Sequence, residues 1–305
     1  MTTGRAFGRV GLLGNPSDMY GGKCISFTID RHTEVNIEDA PTLFIGKDDN
    51  TETTLEYNGK HDLIKAVLNR LKLQKKSVSI QYVTHIPIGA GLAGSSAIII
   101  ATMRALNEHF KLGMDATRIA EEALHTEIAE LGISCGFQDR YVIAHEGLLH
   151  MDFTGKEMMK TDDPPGKITR LDAPDIPWFL CLSNQPKTSA SVHNPVRQRF
   201  LEGDTSIKEH MDKVATLADE GIAVLKEQDW EELGKLMNQN VALRQKIKNL
   251  LPHDKDMIDL ANKSGALGAK LAGSGGAVLI LADKPEVFDT MVKHYPCFKP
   301  NVVTP

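Results

Sequence analysis

Apolar residues recur at 78, 80 and 82 within residues 78–83, the period of a strand. Further on the period changes. Ile99, Met103, Leu106 and Phe110 stand 4, 3 and 4 residues apart, one face of a helix. Between the two lies PIGAGLAGSSA, residues 87–97. Upstream, Val10 and Leu12 predict a short strand, and residues 24–29 and 33–37 alternate as a hairpin through 30–32. Residues 46–60 are polar and predict a solvated hairpin or loop; Leu63, Ala66, Val67 and Leu71 predict a short amphipathic helix.

Downstream, Gly113 closes the central helix and Asp115 caps a second one running to Leu131. Residues 141–144 and 148–153 read as strands joined around Glu146 and Gly147. Four prolines within 160–177 mark a boundary, dividing the chain into 1–165 and 166–305. Beyond it come a buried strand at 178–183, a mobile polar loop at 185–191, and helices over 206–226, 230–250 and 254–264. Asp229 opens the 230–250 helix in a capping-box pattern, and Trp230, Leu233, Met237 and Val241 form its core stripe. Two last strands flank Gly273-Ser-Gly-Gly276, where a tight turn explains the glycines as well as ligand approach does.

Composition narrows the class. The 305 residues are 41% hydrophobic and 25% charged, as in a soluble globular protein of one large or two ordinary domains; a cytosolic enzyme fits, as would many non-enzymes. A net charge of -5 argues against a general nucleic-acid surface. No apolar run approaches the roughly 20 residues that span a bilayer, and the first residues lack the apolar core of a signal peptide. Cys24, Cys135, Cys181 and Cys297 form no metal spacing and read as reduced core thiols. A cytoplasmic protein, monomer or homodimer, is the expectation.

The loop at 87–97 has the chemistry of a phosphate site. Glycines let backbone N–H groups converge, and a helix N-terminus behind them adds partial positive charge. Ser95 and Ser96 begin that helix, where a hydroxyl can cap it or reach a phosphate-bound metal. A Walker loop would need Lys after its last glycine, where Ser95 stands. Gly89, Gly91 and Gly94 match a dinucleotide GxGxxG, but Glu108, at the right distance for its acidic partner, lies inside the helical pattern. A plain turn is the remaining alternative. Asp18, just past a strand in GNPSD, reads equally as a substrate group or an Asx-type turn. Glu127 and Asp139 are a plausible metal and base pair, although exposed helix acids are commoner than ligands.

Three stretches together resemble the GHMP kinase superfamily: AFGRVGLLGNPSD at 6–18, the loop at 87–97, and GSGG at 273–276 with its flanks. Glu127 precedes Asp139 by twelve residues, the spacing of that family's metal acid and catalytic aspartate. RVGLLGNPSD, ELGISCGFQDRYV, GLLHMDF, VHNPVRQRFLEGD and LAGSGGAV, spread over most of the chain, are most similar to the glucuronokinase family. Phe7 replaces the first motif's proline and Asn15-Pro16 its Glu-His, which points away from galactose-type recognition.

The resemblance implies an α+β fold of two domains. The first is like ribosomal protein S5 domain 2, the second is ferredoxin-like, and ATP and substrate lie between them. It implies that Pro87, Gly89, Ala90, Gly91, Leu92, Ala93, Gly94, Ser95 and Ser96 hold the ATP phosphates, and that Ser96 and Glu127 coordinate magnesium. Asp139 would face the acceptor hydroxyl, Arg9 would stabilise the site electrostatically, and Asn15, Asp18 and Gly275 would contact the sugar. The implied reaction is phosphorylation of an anomeric hydroxyl, that of D-glucuronate first, with a heptose, galactose-type sugar or arabinose as alternatives. A sugar acid needs a cation, and Arg197 and Arg199 are candidates; both also read as solvated helix-start arginines. An NAD-dependent oxidoreductase and a ligand-binding protein without activity are the competing functions.

Overall fold

The computed structural model describes residues 1–46, 53–160, 162–183 and 190–305, with side chains from 196 onward in the last stretch. The expected loop at 185–191 lies outside the described residues up to 189, as do 47–52 of the polar stretch.

The first sheet is built on one long strand. After β1 (Thr2–Leu13) and a 3-10 turn (Ser17–Tyr20) comes β2 (Lys23–Asp39), antiparallel to β1 along most of its length. The hairpin expected through 30–32 is absent. The register jumps from Gly8 opposite Ile29 to Phe7 opposite His32, so Asp30 and Arg31 are taken up as a bulge within one strand. On its other side β2 pairs with two partners in succession. Residues 33–39 take β4 (Val78–Thr84), to which β3 (Phe44–Ile45) adds in parallel. Residues 23–27 take β5 (Leu148–Asp152), and β6 (Lys167–Leu171) follows on its outer edge.

Helices α1 (Asp62–Arg70), α2 (Gly94–His109), α3 (Ala116–His125) and α4 (Gln138–His145) belong to this half. The expected second helix does run to about Leu131, but not as one regular helix. α3 stops at His125, and Thr126–Glu130 widens into a π-helical turn that carries Glu127. The strand expected at 141–144 is α4 instead. A four-residue apolar run does not distinguish strand from helix. What decides here comes from far away in sequence: Asp18 Oδ2 accepts the N–H groups of Phe137 and Gln138, capping the helix start. Helix α2 leads into α3 and not into a parallel strand, so the dinucleotide reading fails.

The second sheet is antiparallel, ordered β10-β7-β9-β8, from β7 (Trp178–Leu182), β8 (Gly268–Leu271), β9 (Ala277–Leu281) and β10 (Cys297–Phe298). Its helices are α5 (Ala190–Leu201), α6 (Thr205–Glu227), α7 (Trp230–Gln245), α8 (Pro252–Lys263) and α9 (Pro285–Met291). Asp229 caps α7 through the Glu232 N–H, as its motif predicts. Because β6 belongs to the first sheet, we propose that the domains divide within 172–177 and not at 165.

A disulfide staples the second sheet, and the chain beyond it ties the halves together. Cys181 and Cys297, opposite one another on β7 and β10, form a disulfide, which corrects the expectation of four reduced thiols; Cys24 and Cys135 are free and buried. The inference from cysteine usage to a reducing compartment loses its support. Past β10, the C-terminal tail reaches the other half. Asn301 O accepts from Asp30 N, Val303 N donates to Thr28 O, and the Arg31 guanidinium lies over the Phe298 ring. No helix among the described residues is long and apolar enough to cross a membrane.

Candidate active site

Four segments converge at Arg9. β1 brings it in, and its guanidinium forks Asp139 at the start of α4, Nε to Oδ1 at 2.7 Å and Nη2 to Oδ2 at 2.9 Å. Its Nη1 donates to Gly91 O in the glycine loop at 2.6 Å. Gly11 N donates to Ala272 O, which brings in the loop after β8. The Arg9 side chain is 6% exposed and that of Asp139 21%, so Asp139 is the member of the pair that faces outward.

The glycine loop and the 273–276 turn lie backbone against backbone. A Cβ on Gly91 would stand 2.3 Å from Gly275 O, and φ there is +70°. Only glycine permits both. Gly275 is thus placed against the loop. At the far end, Ala93 at φ 60° turns the chain into α2, whose first turn has no side-chain cap. Its N–H groups remain free for an anion. Ser95 is exposed, whereas Ser96 is buried and donates from Oγ to Glu127 Oε1 at 2.7 Å. Glu127 Oε2 takes an ion pair from Arg140, one residue past Asp139.

Ser96 and Glu127 offer hard oxygen donors, and among the described residues no group of three or more metal-ligating side chains exists. Such a donor pair fits a magnesium ion that brings most of its ligands on a triphosphate.

Asp18 and Asn15 sit deeper than their expected roles suggest. Asp18 is 5% exposed and closed over by Gly136, whose Cβ would stand 2.1 Å from Oδ2. Burial raises its carboxyl above the usual carboxylate range, against the pull of the two amides it caps. Asn15 Oδ1 accepts from Lys270 Nζ at 2.7 Å, and its carbonyl accepts from Asn240. Arg199 is ion-paired with Asp204 and half exposed. Arg197 is half-buried beside Tyr20, its Nε without a hydrogen-bond partner. Burial pushes the Tyr20 phenol up to about 12, with the nearby Asp18 adding to the shift. Pro16, Tyr20, Val196, Met211, Arg244 and Ile247 line a small cavity of about 20 Å³ there.

These features have counterparts elsewhere. The model of the GHMP kinases N terminal domain matches residues 62–147, and that of the GHMP kinases C terminal region matches 222–297. A probable glucuronokinase 2 of Arabidopsis thaliana is 33% identical over 306 residues, spanning 90% of this chain and 83% of its own. The chain belongs to the GHMP kinase family. A galactokinase of Thermotoga petrophila is 27% identical over 335 residues, 95% of this chain and 94% of its own. The mevalonate kinase of Methanococcus jannaschii superposes with a TM-score of 0.75 over 99% of this chain and 98% of that one, at 21% identity, a likeness of fold.

In this GHMP kinase the site also uses residues that no motif singled out. Lys270 is fully buried and gives its three protons to Gly11 O, Asn15 Oδ1 and Leu271 O; burial drives its ammonium well below the usual lysine range. Arg244, 9% exposed, donates to Gly273 O, and Asp254 accepts from Gly276 N. The one sequence signal was a lysine inside an apolar strand, three residues before a glycine turn.

Proposed function

We propose that this kinase transfers the γ-phosphoryl group of ATP to the anomeric hydroxyl of a sugar acid, D-glucuronate, giving the 1-phosphate. The observation that carries the reading is the Arg9–Asp139 fork set against the Gly91 carbonyl. The fork holds a carboxylate beside the glycine loop and the start of α2. Likeness to glucuronokinases supports the substrate, and so does the unpartnered Arg197 Nε beside Tyr20. Arg199 is committed to Asp204, so Arg197 is the better carboxylate partner.

The loop amides and the α2 N-terminus bind the triphosphate. Asp139 accepts a hydrogen bond from the attacking hydroxyl and aims it along the transfer axis, while Arg9 fixes the carboxylate plane. Ser96 and Glu127 would hold a magnesium ion, which would supply positive charge to neutralise what develops in the transfer. Arg140 keeps Glu127 oriented.

An ATP-turnover screen over free sugars and uronic acids, with the product position assigned by phosphorus NMR, tests the reading. D-glucuronate should give the highest kcat/KM and a phosphate on C1. Preference for a heptose, galactose-type sugar or arabinose would replace the substrate and leave the kinase. Arg197→Ala should cost about 1.5–3 kcal/mol on a uronate and little on the matching neutral sugar. Equal losses on both would remove its carboxylate role.

A further inference from the structure

Gln138 stands between the helix cap and the candidate catalytic carboxylate, and neither contact uses its side-chain oxygen. Its main-chain N–H donates to Asp18 Oδ2 at 3.0 Å. Its side chain is 3% exposed, with Nε2 3.4 Å from Asp139 Oδ1. Oε1 is shielded from solvent and accepts no hydrogen bond. The neighbour fixes this orientation. The Asp139 carboxylate holds the Arg9 fork and can only accept, so the amide must turn its nitrogen toward it. The carbonyl oxygen is left unpaired.

A buried, unpaired acceptor costs about 1–3 kcal/mol. A leucine of similar size would fill the place without that cost. Two further polar atoms in the same stretch, Ser134 Oγ and Arg140 Nε, are also buried without hydrogen-bond partners. The stretch is thus polar beyond what its own fold satisfies. A donor that reaches Oε1 must arrive alongside whatever reaches Asp139, because one carboxamide separates the two acceptors. Adjacent hydroxyls of one sugar ring can supply two donors so close together.

We propose that Gln138 is a specificity-determining residue: its Oε1 accepts a hydrogen bond from the hydroxyl next to the one phosphorylated. This rests on the proposed transfer to the anomeric oxygen, which makes that neighbour the C2 hydroxyl. The site then selects sugars with a free hydroxyl at C2 over 2-deoxy sugars.

The test compares kcat/KM for the best free sugar and its 2-deoxy analogue, in wild type and in Gln138→Leu. Wild type should lose about 10–100-fold on the deoxy analogue. The variant should lose a similar factor on the parent sugar and separate the two by less than about threefold. The ratio is the readout, because a merely structural residue would lower both rates alike and leave the discrimination unchanged. If Gln138→Leu fails to fold, Gln138→Met, unbranched and nearly isosteric, takes its place in the same ratio. Undiminished discrimination in the folded apolar variant overturns the assignment. The uronate reading fails separately, if wild type prefers a neutral sugar; the Gln138 ratio is then read on that sugar and its 2-deoxy form.

Discussion

Asp139 has both oxygens on one arginine, so its position is set by β1 as much as by its own helix. Asn in its place keeps the shape and loses the negative charge and the fork's second strong acceptor. Asp139→Asn should lower kcat by roughly 10²–10⁴ while ATP affinity holds. Turnover and nucleotide binding on the same folded variant check this; a rate within a few-fold of wild type would end the assignment. Lys270 works differently, by holding backbone. Lys270→Met leaves Gly11 O, Leu271 O and Asn15 Oδ1 without a donor, at about 2–4 kcal/mol by denaturant titration. Asp18 adds a pH signature. Its folded pKa is raised, so its contribution is full below the unfolded value and declines as pH rises through the folded one. The stability of wild type relative to Asp18→Asn should therefore fall as pH rises above the ordinary carboxylate value of 3.8. That Arg9 meets Asp139 and Ser96 meets Glu127 accords with the motifs that carry the family resemblance. Lys270 and Asn240 were not legible in the sequence, since their partners are more than 200 residues away.

At the scale of elements, β4, the glycine loop and α2 form the part that local pattern predicts well. The strand alternates, the helix has its stripe, and the glycines explain the join. α4 shows the opposite. Its cap is a side chain 119 residues earlier, so no local window contains the reason it is helical. Glu127 closes the same corner. Glu127→Gln should raise the magnesium needed for half-maximal activity. It should also destabilise the protein, because the buried Arg140 loses its counter-charge, a change worth about 3 kcal/mol. Ser96→Ala separates the effects: it should raise the magnesium requirement with little loss in melting temperature. A Ser96→Ala enzyme that needs no more magnesium than wild type would make the hydroxyl only a Glu127 partner. Gly91→Ala should be the harsher change. Its Cβ enters the Gly275 carbonyl at a positive φ, so loop and turn must part, costing about 1–3 kcal/mol and most of the nucleotide affinity.

On the scale of the molecule, neither half owns the site. Arg9 and the glycine loop come from the first domain; Lys270, Asn240 and the 273–276 turn come from the second, and they meet under one set of hydrogen bonds. The C-terminal tail closes the arrangement from outside. Removing residues 300–305 deletes its pairing with β2, and Cys297→Ser frees the strand that leads into it. The disulfide closes a loop of more than a hundred residues, so its loss should cost about 2–4 kcal/mol in unfolding experiments. No spacing in the sequence announced either feature: the disulfide joins strands 116 residues apart within the second sheet, and the tail pairs with β2 only once both sheets have formed. A cut within 172–177 would sort the chain into two fragments, each with its own sheet and each with an incomplete catalytic centre. The tail's backbone pairing with β2 would give them an edge by which to find one another. Phosphoryl transfer would then return only on reassembly, making the pair a split reporter whose signal is the enzyme itself.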